Sequence, residues 1–169
     1  ITKPNRTYES IVSEKWRKDA GGALRKVIEH IQSSDWGEHV MGYQFSGLAT
    51  EEWYQWSVNK LHNLSDYSVH NRKAFQKWLR DKYKTNNALQ KSWGKPDIDF
   101  DKVEVPTKDE RIRGYDEITF RDSSMEMNVI DFYKFYGDNV ADAIDYFAGV
   151  IKDASGHKKA VGTFYAYFL

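Results

Sequence analysis

The sequence contains no cysteine, no long apolar run and no excess of charge of either sign. Without cysteine, neither a disulfide framework nor a metal site built on thiolates can form. Lys and Arg together number 25, as do Asp and Glu, and the two signs are interleaved along the chain. Binding to nucleic acid usually needs a basic patch, so this class of function is disfavoured. No apolar run approaches the roughly 18 residues of a membrane span, and we therefore predict no membrane partner.

Patterns that would bind a metal or a phosphate group are also missing from the sequence. No HExxH motif or similar histidine pair is present, which predicts that there is no metal site. Asp97, Asp99 and Asp101 alternate as in a calcium loop, but the glycine and the distal glutamate of that loop are absent. No glycine loop is followed by a lysine–serine pair, and Ser46 lies outside a GxSxG motif. We therefore expect neither a metal nor a cofactor.

Aromatic residues are abundant instead, at 15% of the chain, with 6 Trp and 11 Tyr. Trp and Tyr combine a flat apolar face with a polar edge, which suits carbohydrate rings and protein interfaces alike. The most informative stretch is residues 39–56, HVMGYQFSGLATEEWYQW. There an apolar run ending at Phe45 leads through a Ser-Gly pair towards two adjacent carboxylates, Glu51 and Glu52. Three large aromatic residues follow directly: Trp53, Tyr54 and Trp56.

Two interpretations of this stretch remain open from the residues alone. In the first, a strand and a turn place acids beside indole rings at the C-terminal edge of a parallel sheet. Such a site cleaves sugars, because the rings stack on a pyranose and a carboxyl group transfers a proton. In the second, the two glutamates are solvated in the first turn of a helix and stabilised by its dipole, and the aromatic residues pack in the core.

Hydrophobic periodicity predicts five helices and two strands. The helices are expected over residues 14–33, 50–61, 74–83, 88–93 and 126–154, and the strands over 39–45 and 159–168. Ser13 is expected to cap the first helix, and Gly94 is expected to end the fourth. The predicted apolar stripe includes Val27 in the first helix, and Ile130 and Tyr133 in the last. Residues 96–121 are mostly polar and are predicted to form a long loop, anchored in the core by Val103, Val105 and Ile112. Two strands separated by helices favour parallel pairing through a right-handed crossover, hence an α/β fold class. Two or three strands are too few for an independent sheet of that class, which indicates part of a larger barrel or open sheet.

The whole chain, residues 1–169, is predicted to be a single compact unit because no low-complexity tract divides it. It begins at Ile1 and ends on the apolar run 160–169, without a turn or cap after it. We therefore expect an excised piece of a longer protein. Excision would leave strand edges and a helix face uncovered, so we also expect self-association or an exposed apolar patch.

Three segments carry a likeness to a known family: residues 13–53, 72–94 and 131–167. The first ends in a strand followed by a Glu-Trp pair, GYQFSGLATEEW, and the second contains a helix pair, AFQKWLRDKYKTNNALQKSWG. Together the segments resemble glycoside hydrolases of the family 42 type, which are large β-galactosidase-like enzymes. The likeness extends over roughly residues 13–168 and leaves mainly residues 97–120 without a distinctive counterpart.

The resemblance implies a helix-rich sector of a (β/α)₈ (TIM) barrel with few parallel strands, from a retaining enzyme with a carbohydrate substrate. Catalysis in that clan uses two glutamates at the C-terminal ends of strands. The acid/base follows the fourth strand, usually in an Asn-Glu pair, and here the corresponding place reads Ala49-Thr50-Glu51-Glu52, without asparagine. The nucleophile follows the seventh strand and would lie outside this chain. Because a retaining mechanism needs two carboxyl groups about 5 to 5.5 Å apart, the chain alone is expected to be inactive.

Glu52 is the predicted acid/base, and Glu51 is the alternative. Glu52 directly precedes Trp53, whose indole would exclude water from the neighbouring carboxyl group, as an acid that donates at neutral pH requires. The residues expected to line the sugar site are Tyr43, Gln44, Trp53, Trp56, Tyr165 and Tyr167. Alternation along a strand places Tyr43 and Phe45 on one face and Gln44 on the other, so these side chains cannot all face the pocket.

Two other classes of function are compatible with the sequence. One is a non-catalytic relative of a glycosidase that binds carbohydrate or has a structural role and has lost the acids. The other is a helical interaction module with its aromatic residues at a protein interface. The orientation of the two glutamates separates these possibilities, because carboxylates that point away from the strand ends would favour the binding or structural class.

Overall fold

The computed structural model describes residues 9–48, 52–53, 64–112 and 120–165. The elements in chain order are α1 Glu14–Gln32, β1 Gly42–Gln44, α2 Val69–Tyr83, α3 Asn86–Trp93, α4 Lys108–Ile112, α5 Met127–Ala154 and β2 Ala160–Gly162. Short 3₁₀ turns lie at Gly37–His39 and Phe100–Lys102. The chain divides into two compact units: unit 1 is Ile1–Trp56 with Val140–Leu169, and unit 2 is Ser57–Asn139. Helix α5 contributes residues to both, and a single unit over residues 1–169 stays a prediction.

The two strands of the described residues pair in parallel, which confirms the predicted α/β class. Gly42 lies opposite Ala160, and Gln44 lies opposite Gly162. A side chain at Gly42 would bring its Cβ within 2.8 Å of the Ala160 carbonyl oxygen, so glycine allows the close pairing. Each strand has three residues, shorter than predicted, because His39 belongs to a 3₁₀ turn and regular pairing stops at Gln44. Residues 166–168 of the predicted second strand lie outside the described residues.

Helix α1 starts where the sequence predicts. The Ser13 hydroxyl accepts a hydrogen bond from the Trp16 backbone amide at 3.2 Å, as an N-cap does. On its buried face, Gly21 leaves room for Tyr146 of α5, whose hydroxyl would lie 2.7 Å from an added Cβ. The prediction that Val27 belongs to the buried stripe is wrong, since its side chain is 54% exposed. The buried face of α1 is narrower than the predicted apolar stripe, because only Gly21 and Ile28 of this helix are fully buried.

Phe147 of α5 is the centre of the core of unit 1. Its ring lies 5.4 Å from Trp16 of α1, 6.4 Å from Phe45 after β1 and 6.3 Å from Trp53. These contacts pack α5 against α1 and against Phe45 at the end of β1. Aromatic pairs at these separations stabilise a core beyond the burial of their area.

Unit 2 is a helical unit with an aromatic core. Phe75 of α2 lies 5.5 Å from Phe132 and 5.2 Å from Phe135, both on α5. The predicted stripe is wrong for this half of α5, because Tyr133 is 38% exposed and Ile130 is only half-buried. Phe75 instead contacts the face of α5 that carries Phe132 and Phe135. This face is rotated about the helix axis from the predicted one.

Two segments differ from the predicted secondary structure. The predicted loop over residues 96–121 contains α4 and a 3₁₀ turn, although Val103 and Val105 are buried anchors as expected. Thr107 and Glu110 form a capping box at α4, with the Thr107 amide donating to the Glu110 carboxylate at 2.7 Å. The helix predicted from residue 50 lies mostly outside the described residues. Within them, residues 52–53 form a turn rather than a first helical turn.

Candidate active site

Glu52 lies on a loop that starts and ends near the C-terminal end of β1. The backbone amide of Trp53 donates to the carbonyl oxygen of Gly47 at 3.0 Å, which closes the loop at its base. Glu52 is the last residue before this closure and is half-buried. Glu52 therefore follows the C-terminal end of β1, and this is the end of the strands at which parallel barrels carry their catalytic residues.

Trp53 holds the base of this loop in the core of unit 1. Its indole Nε1 donates to Thr163 Oγ1 at 2.7 Å, and its ring meets Phe45 edge to face at 5.7 Å. Gly47 is required here, because a Cβ at that position would lie 2.9 Å from the Trp53 ring. Trp53 is 3% exposed, so this burial leaves no face on which a sugar ring could stack. The geometry thus favours a structural role for Trp53 over the predicted contact with sugar.

Tyr43 and Gln44 lie on opposite faces of β1, as alternation requires. The Tyr43 hydroxyl accepts a hydrogen bond from Gln32 Nε2 at the end of α1, at 2.6 Å. Tyr43 therefore faces the helices, together with Phe45. Gln44 is exposed on the other face. Of these two predicted sugar contacts, only Gln44 is on the face that the described helices leave open.

The remaining predicted site residues divide into two groups. Tyr165, which follows β2, is 54% exposed, and its neighbour Phe164 is 60% exposed. Both offer a ring to solvent near the C-terminal end of β2. The other three lie outside the described residues: Glu51, Trp56 and Tyr167.

Among the described residues, no group of three His, Asp or Glu side chains could hold a metal ion. The aspartates of residues 97–101, which resemble a calcium loop, include two that have partners within the protein. Asp99 accepts from the backbone amides of Asp101 and Lys102, both at 2.9 Å. Asp101 instead pairs with Arg80 at 2.5 Å, so the two carboxylates serve different partners. No helix in the described ranges has the length and apolar character to cross a membrane.

Sequence reasoning missed a buried carboxylate in unit 2. Asp131 on α5 is completely buried and accepts hydrogen bonds from Lys82 Nζ, from Tyr83 Oη at 2.7 Å and from Trp93 Nε1 at 2.8 Å. Burial alone would lower the pKa of Lys82, but the hydrogen bond and charge of Asp131 outweigh it and raise that pKa. Burial, followed by the hydrogen bond to Asp131, raises the pKa of Tyr83, although its contact with Ser92 opposes the shift. The only sign of this buried carboxylate in the sequence is that Asp131 directly precedes Phe132, an apolar residue of the core.

A cavity of about 190 Å³ also belongs to unit 2. Its lining residues are Lys95, Glu110, Met125, Glu126, Asn128 and Val129. Burial would raise the pKa of Glu110, but hydrogen bonds from Thr107 and Asn128 outweigh it and lower that pKa. Glu126 accepts from Arg121 at 2.7 Å. Both carboxylates in the wall therefore have partners within the unit and serve to hold α4 and the start of α5.

Residues 50–167 match the model of the glycoside hydrolase family 42, described as β-galactosidase. The chain belongs to this family. The match includes Glu52 and the strand β2, so it covers both sides of the candidate site. No curated protein sequence matches the chain.

Solved β-galactosidase structures share the fold. The enzyme from the psychrophilic Marinomonas ef1 is 18% identical, with a TM-score of 0.63. The enzyme from the Antarctic haloarchaeon Halorubrum lacusprofundi is 19% identical, and that from Bacillus circulans sp. alkalophilus is 17% identical, each with a TM-score of 0.63. Each alignment covers 94% of this chain and 22% of the other chain. The chain thus spans about a fifth of the length of these β-galactosidases and forms a helix-rich sector of their barrel fold, as predicted.

Proposed function

We propose that this chain provides the acid/base carboxyl group of a retaining glycoside hydrolase that acts on β-galactoside-like substrates, and that this group belongs to Glu52. The observation that carries the proposal is the position of Glu52 on a loop closed at the C-terminal end of β1. Family membership supports a carbohydrate substrate, and the 22% coverage leaves room for the second catalytic carboxyl elsewhere in a longer protein.

The reaction has two steps. In the first, the protonated Glu52 carboxyl donates its proton to the glycosidic oxygen while a carboxylate from another segment attacks the anomeric carbon. The aglycone leaves as an alcohol, and a covalent glycosyl-enzyme forms. In the second step, the Glu52 carboxylate takes a proton from water, which attacks the anomeric carbon and releases the sugar with retained configuration.

Two described side chains are suited to hold the sugar. Gln44 is exposed on the open face of β1, and its amide can both donate to and accept from sugar hydroxyls. The exposed ring of Tyr165 offers a stacking surface. Glu51, Trp56 and Tyr167 stay predictions. Self-association also stays a prediction, although unit 1 exposes the large apolar side chains of Met41 and Phe164.

One feature of the sequence favours a second function. The place that corresponds to the family's Asn-Glu pair reads Ala49-Thr50-Glu51-Glu52, without asparagine. A site that has lost one polar group beside the acid could retain the barrel and bind carbohydrate without cleaving it. This candidate predicts saturable sugar binding and no turnover.

The test is Glu52→Gln in the intact protein that contains this chain. Hydrolysis of an unactivated disaccharide should fall about 100-fold or more, the scale expected for loss of a general acid. An activated aryl glycoside should lose less in its first step because its leaving group needs little protonation. Glu38→Gln is the matched control, since Glu38 is an exposed glutamate of the same unit that precedes β1.

Three outcomes would contradict the assignment. If Glu51→Gln abolished hydrolysis and Glu52→Gln did not, the acid/base would be the neighbouring residue. If neither change mattered, the site would lie elsewhere. If the unchanged intact protein bound sugar without any turnover, the second candidate function would replace the first.

A further inference from the structure

We propose that Thr163 is a positioning residue for Glu52, and that its hydroxyl fixes the carboxyl through Trp53. The inference rests on the proposed role of Glu52. Thr163 directly follows β2, and Glu52 is far from it in sequence on the loop after β1. The residue that links them is Trp53, which is adjacent to Glu52 in the chain and bonded to Thr163 in space.

The Thr163 hydroxyl joins three segments with two short hydrogen bonds. It accepts from Trp53 Nε1 at 2.7 Å and donates to the Phe45 carbonyl oxygen at 2.7 Å. The carbonyl oxygen of Phe164 is a poorer acceptor for the same proton at 3.3 Å. A single hydroxyl has one proton to give and lone pairs to accept with, so both short bonds form together. The end of β1, the end of β2 and the loop that carries Glu52 are therefore tied at one atom.

The loop needs such a tie because its two ends have unfavourable backbone conformations. Leu48 has φ of 60° and Trp53 has φ of 65°, both in the left-handed region that non-glycine residues seldom adopt. Residues in that region persist only when surrounding contacts hold them there. For Trp53 those contacts are the Thr163 hydroxyl, the Phe45 ring and the space left by Gly47. The φ angle of Trp53 sets how the preceding residue, Glu52, is oriented relative to the core that holds the Trp53 ring.

The role is one of position, because the Thr163 hydroxyl is already committed to Phe45 and Trp53. Without it, the indole N–H of Trp53 would be buried without a partner, which favours a change in the ring or the loop. General acid catalysis needs the carboxyl within about 2.6 to 3.2 Å of the glycosidic oxygen. Small displacements of Glu52 should therefore reduce kcat more than they change KM.

The test compares Thr163→Val with Thr163→Ser in the intact protein. Valine has the shape of threonine without the hydroxyl, whereas serine keeps the hydroxyl and loses only the methyl group. With an unactivated disaccharide, kcat of Thr163→Val should fall about 10-fold or more, since misplacement by about 1 Å can cost about 100-fold. KM should change little, an activated aryl glycoside should be affected less, and Thr163→Ser should retain most of the activity.

A second measurement tests the clamp, by which we mean the two short hydrogen bonds of the Thr163 hydroxyl, independently of catalysis. Hydrogen exchange of the Trp53 indole N–H, followed by NMR, should be faster in Thr163→Val than in the unchanged protein and in Thr163→Ser. Thr85→Val is the matched control, because it removes a hydroxyl that caps α3 in unit 2, where Thr85 accepts from the Ala88 amide at 3.2 Å. It lowers stability but should leave the Trp53 exchange rate and kcat unchanged.

The outcomes separate this inference from the proposed function. Unchanged kcat in Thr163→Val, or equal losses in the valine and serine variants, would overturn the positioning role. A loss of kcat matched by Thr85→Val would reduce the effect to general destabilisation and would also overturn it. If Glu52→Gln remained active, the proposed function would fail, whereas faster exchange of Trp53 in Thr163→Val would still demonstrate the clamp.

Discussion

Asp131 in unit 2 and Glu52 in unit 1 are carboxylates with opposite surroundings. Asp131 is completely buried within a regular helix and accepts hydrogen bonds from Lys82, Tyr83 and Trp93. Glu52 is half-buried, lies in a turn and precedes a residue with a left-handed backbone. A buried carboxylate whose donors all come from its own fold is suited to stability. A carboxylate on an irregular loop at the end of a strand is suited to chemistry.

The two tryptophans beside these carboxylates differ in the same way. Trp93 donates its indole N–H directly to Asp131 and so stabilises the charge on that carboxylate. Trp53 donates away from Glu52, to Thr163, although the two residues are neighbours in sequence. An indole next to an acid in the sequence therefore has no fixed role. In unit 1 the role of the indole is to hold the loop. Replacing each carboxylate by the corresponding amide, in Asp131→Asn and Glu52→Gln, tests the difference between the two units.

The largest expected effect on stability is that of Asp131→Asn. It leaves the Lys82 charge without its partner and presents an amide to donors that need an acceptor. Breaking a buried ion pair costs about 3 to 5 kcal/mol, and the low end applies because the Lys82 side chain is 30% exposed. Glu52→Gln should lower the free energy of unfolding by less than Asp131→Asn does, because Glu52 is only half-buried and glutamine has nearly the same shape. Urea denaturation of both variants measures this, and equal losses of stability would erase the distinction between the two carboxylates.

A smaller effect is expected where Trp53 packs against Gly47. In Gly47→Ala, the new Cβ would lie 2.9 Å from the ring, and overpacking of this kind costs about 1 to 3 kcal/mol. Gly149→Ala in α5 is the control, because no atom lies within 4 Å of its added Cβ and alanine favours a helix by about 1 kcal/mol. Thermal unfolding should thus show opposite signs for the two changes. Stabilisation by Gly47→Ala would contradict the close packing of the loop.

The smallest effect is a dependence of stability on alkaline pH. The pKa values of Lys82 and Tyr83 are both raised in the folded state, and the protonated forms are therefore favoured by folding. Their contribution is present below the unfolded pKa values of about 10 to 10.4 and is lost as pH rises through the folded values. Denaturation above pH ~10 should show a shallower loss of stability in Asp131→Asn than in the unchanged protein. Identical slopes would mean that Asp131 does not control these protons.

The sequence predicted those parts of the fold that depend on local signals. Ser13 caps α1, Gly94 ends α3 in the left-handed conformation, and the two strands pair in parallel. The position of Glu52 after β1 also followed from a local pattern. These features are set by residues within one or two turns of each other, or by the general preference of strand–helix–strand units for parallel pairing.

The orientation of side chains at the site could not be predicted in the same way. The burial of Trp53 depends on Thr163, which is 110 residues further along the chain. Alternation placed Tyr43 and Gln44 on opposite faces, but the face that the helices cover is known only from contacts with distant residues, such as the hydrogen bond from Gln32 and the contact of Phe45 with Phe147. Asp131 was missed for the same reason, since its three donors come from α2 and α3 and carry no sequence signature. Contacts between distant segments therefore decide which side chains are exposed at the candidate site and which are buried and hold its loop in position.

The central claim, that Glu52 is the acid/base, is tested most directly by rescue with azide. In Glu52→Ala of the intact protein, an activated aryl galactoside can still form the glycosyl-enzyme, but water then lacks its general base. Azide is a nucleophile that needs no deprotonation, so it should restore turnover and give a glycosyl azide of retained configuration. The same treatment of Glu38→Ala should change nothing. If azide failed to raise the rate of Glu52→Ala and no glycosyl azide formed, Glu52 would not be the acid/base.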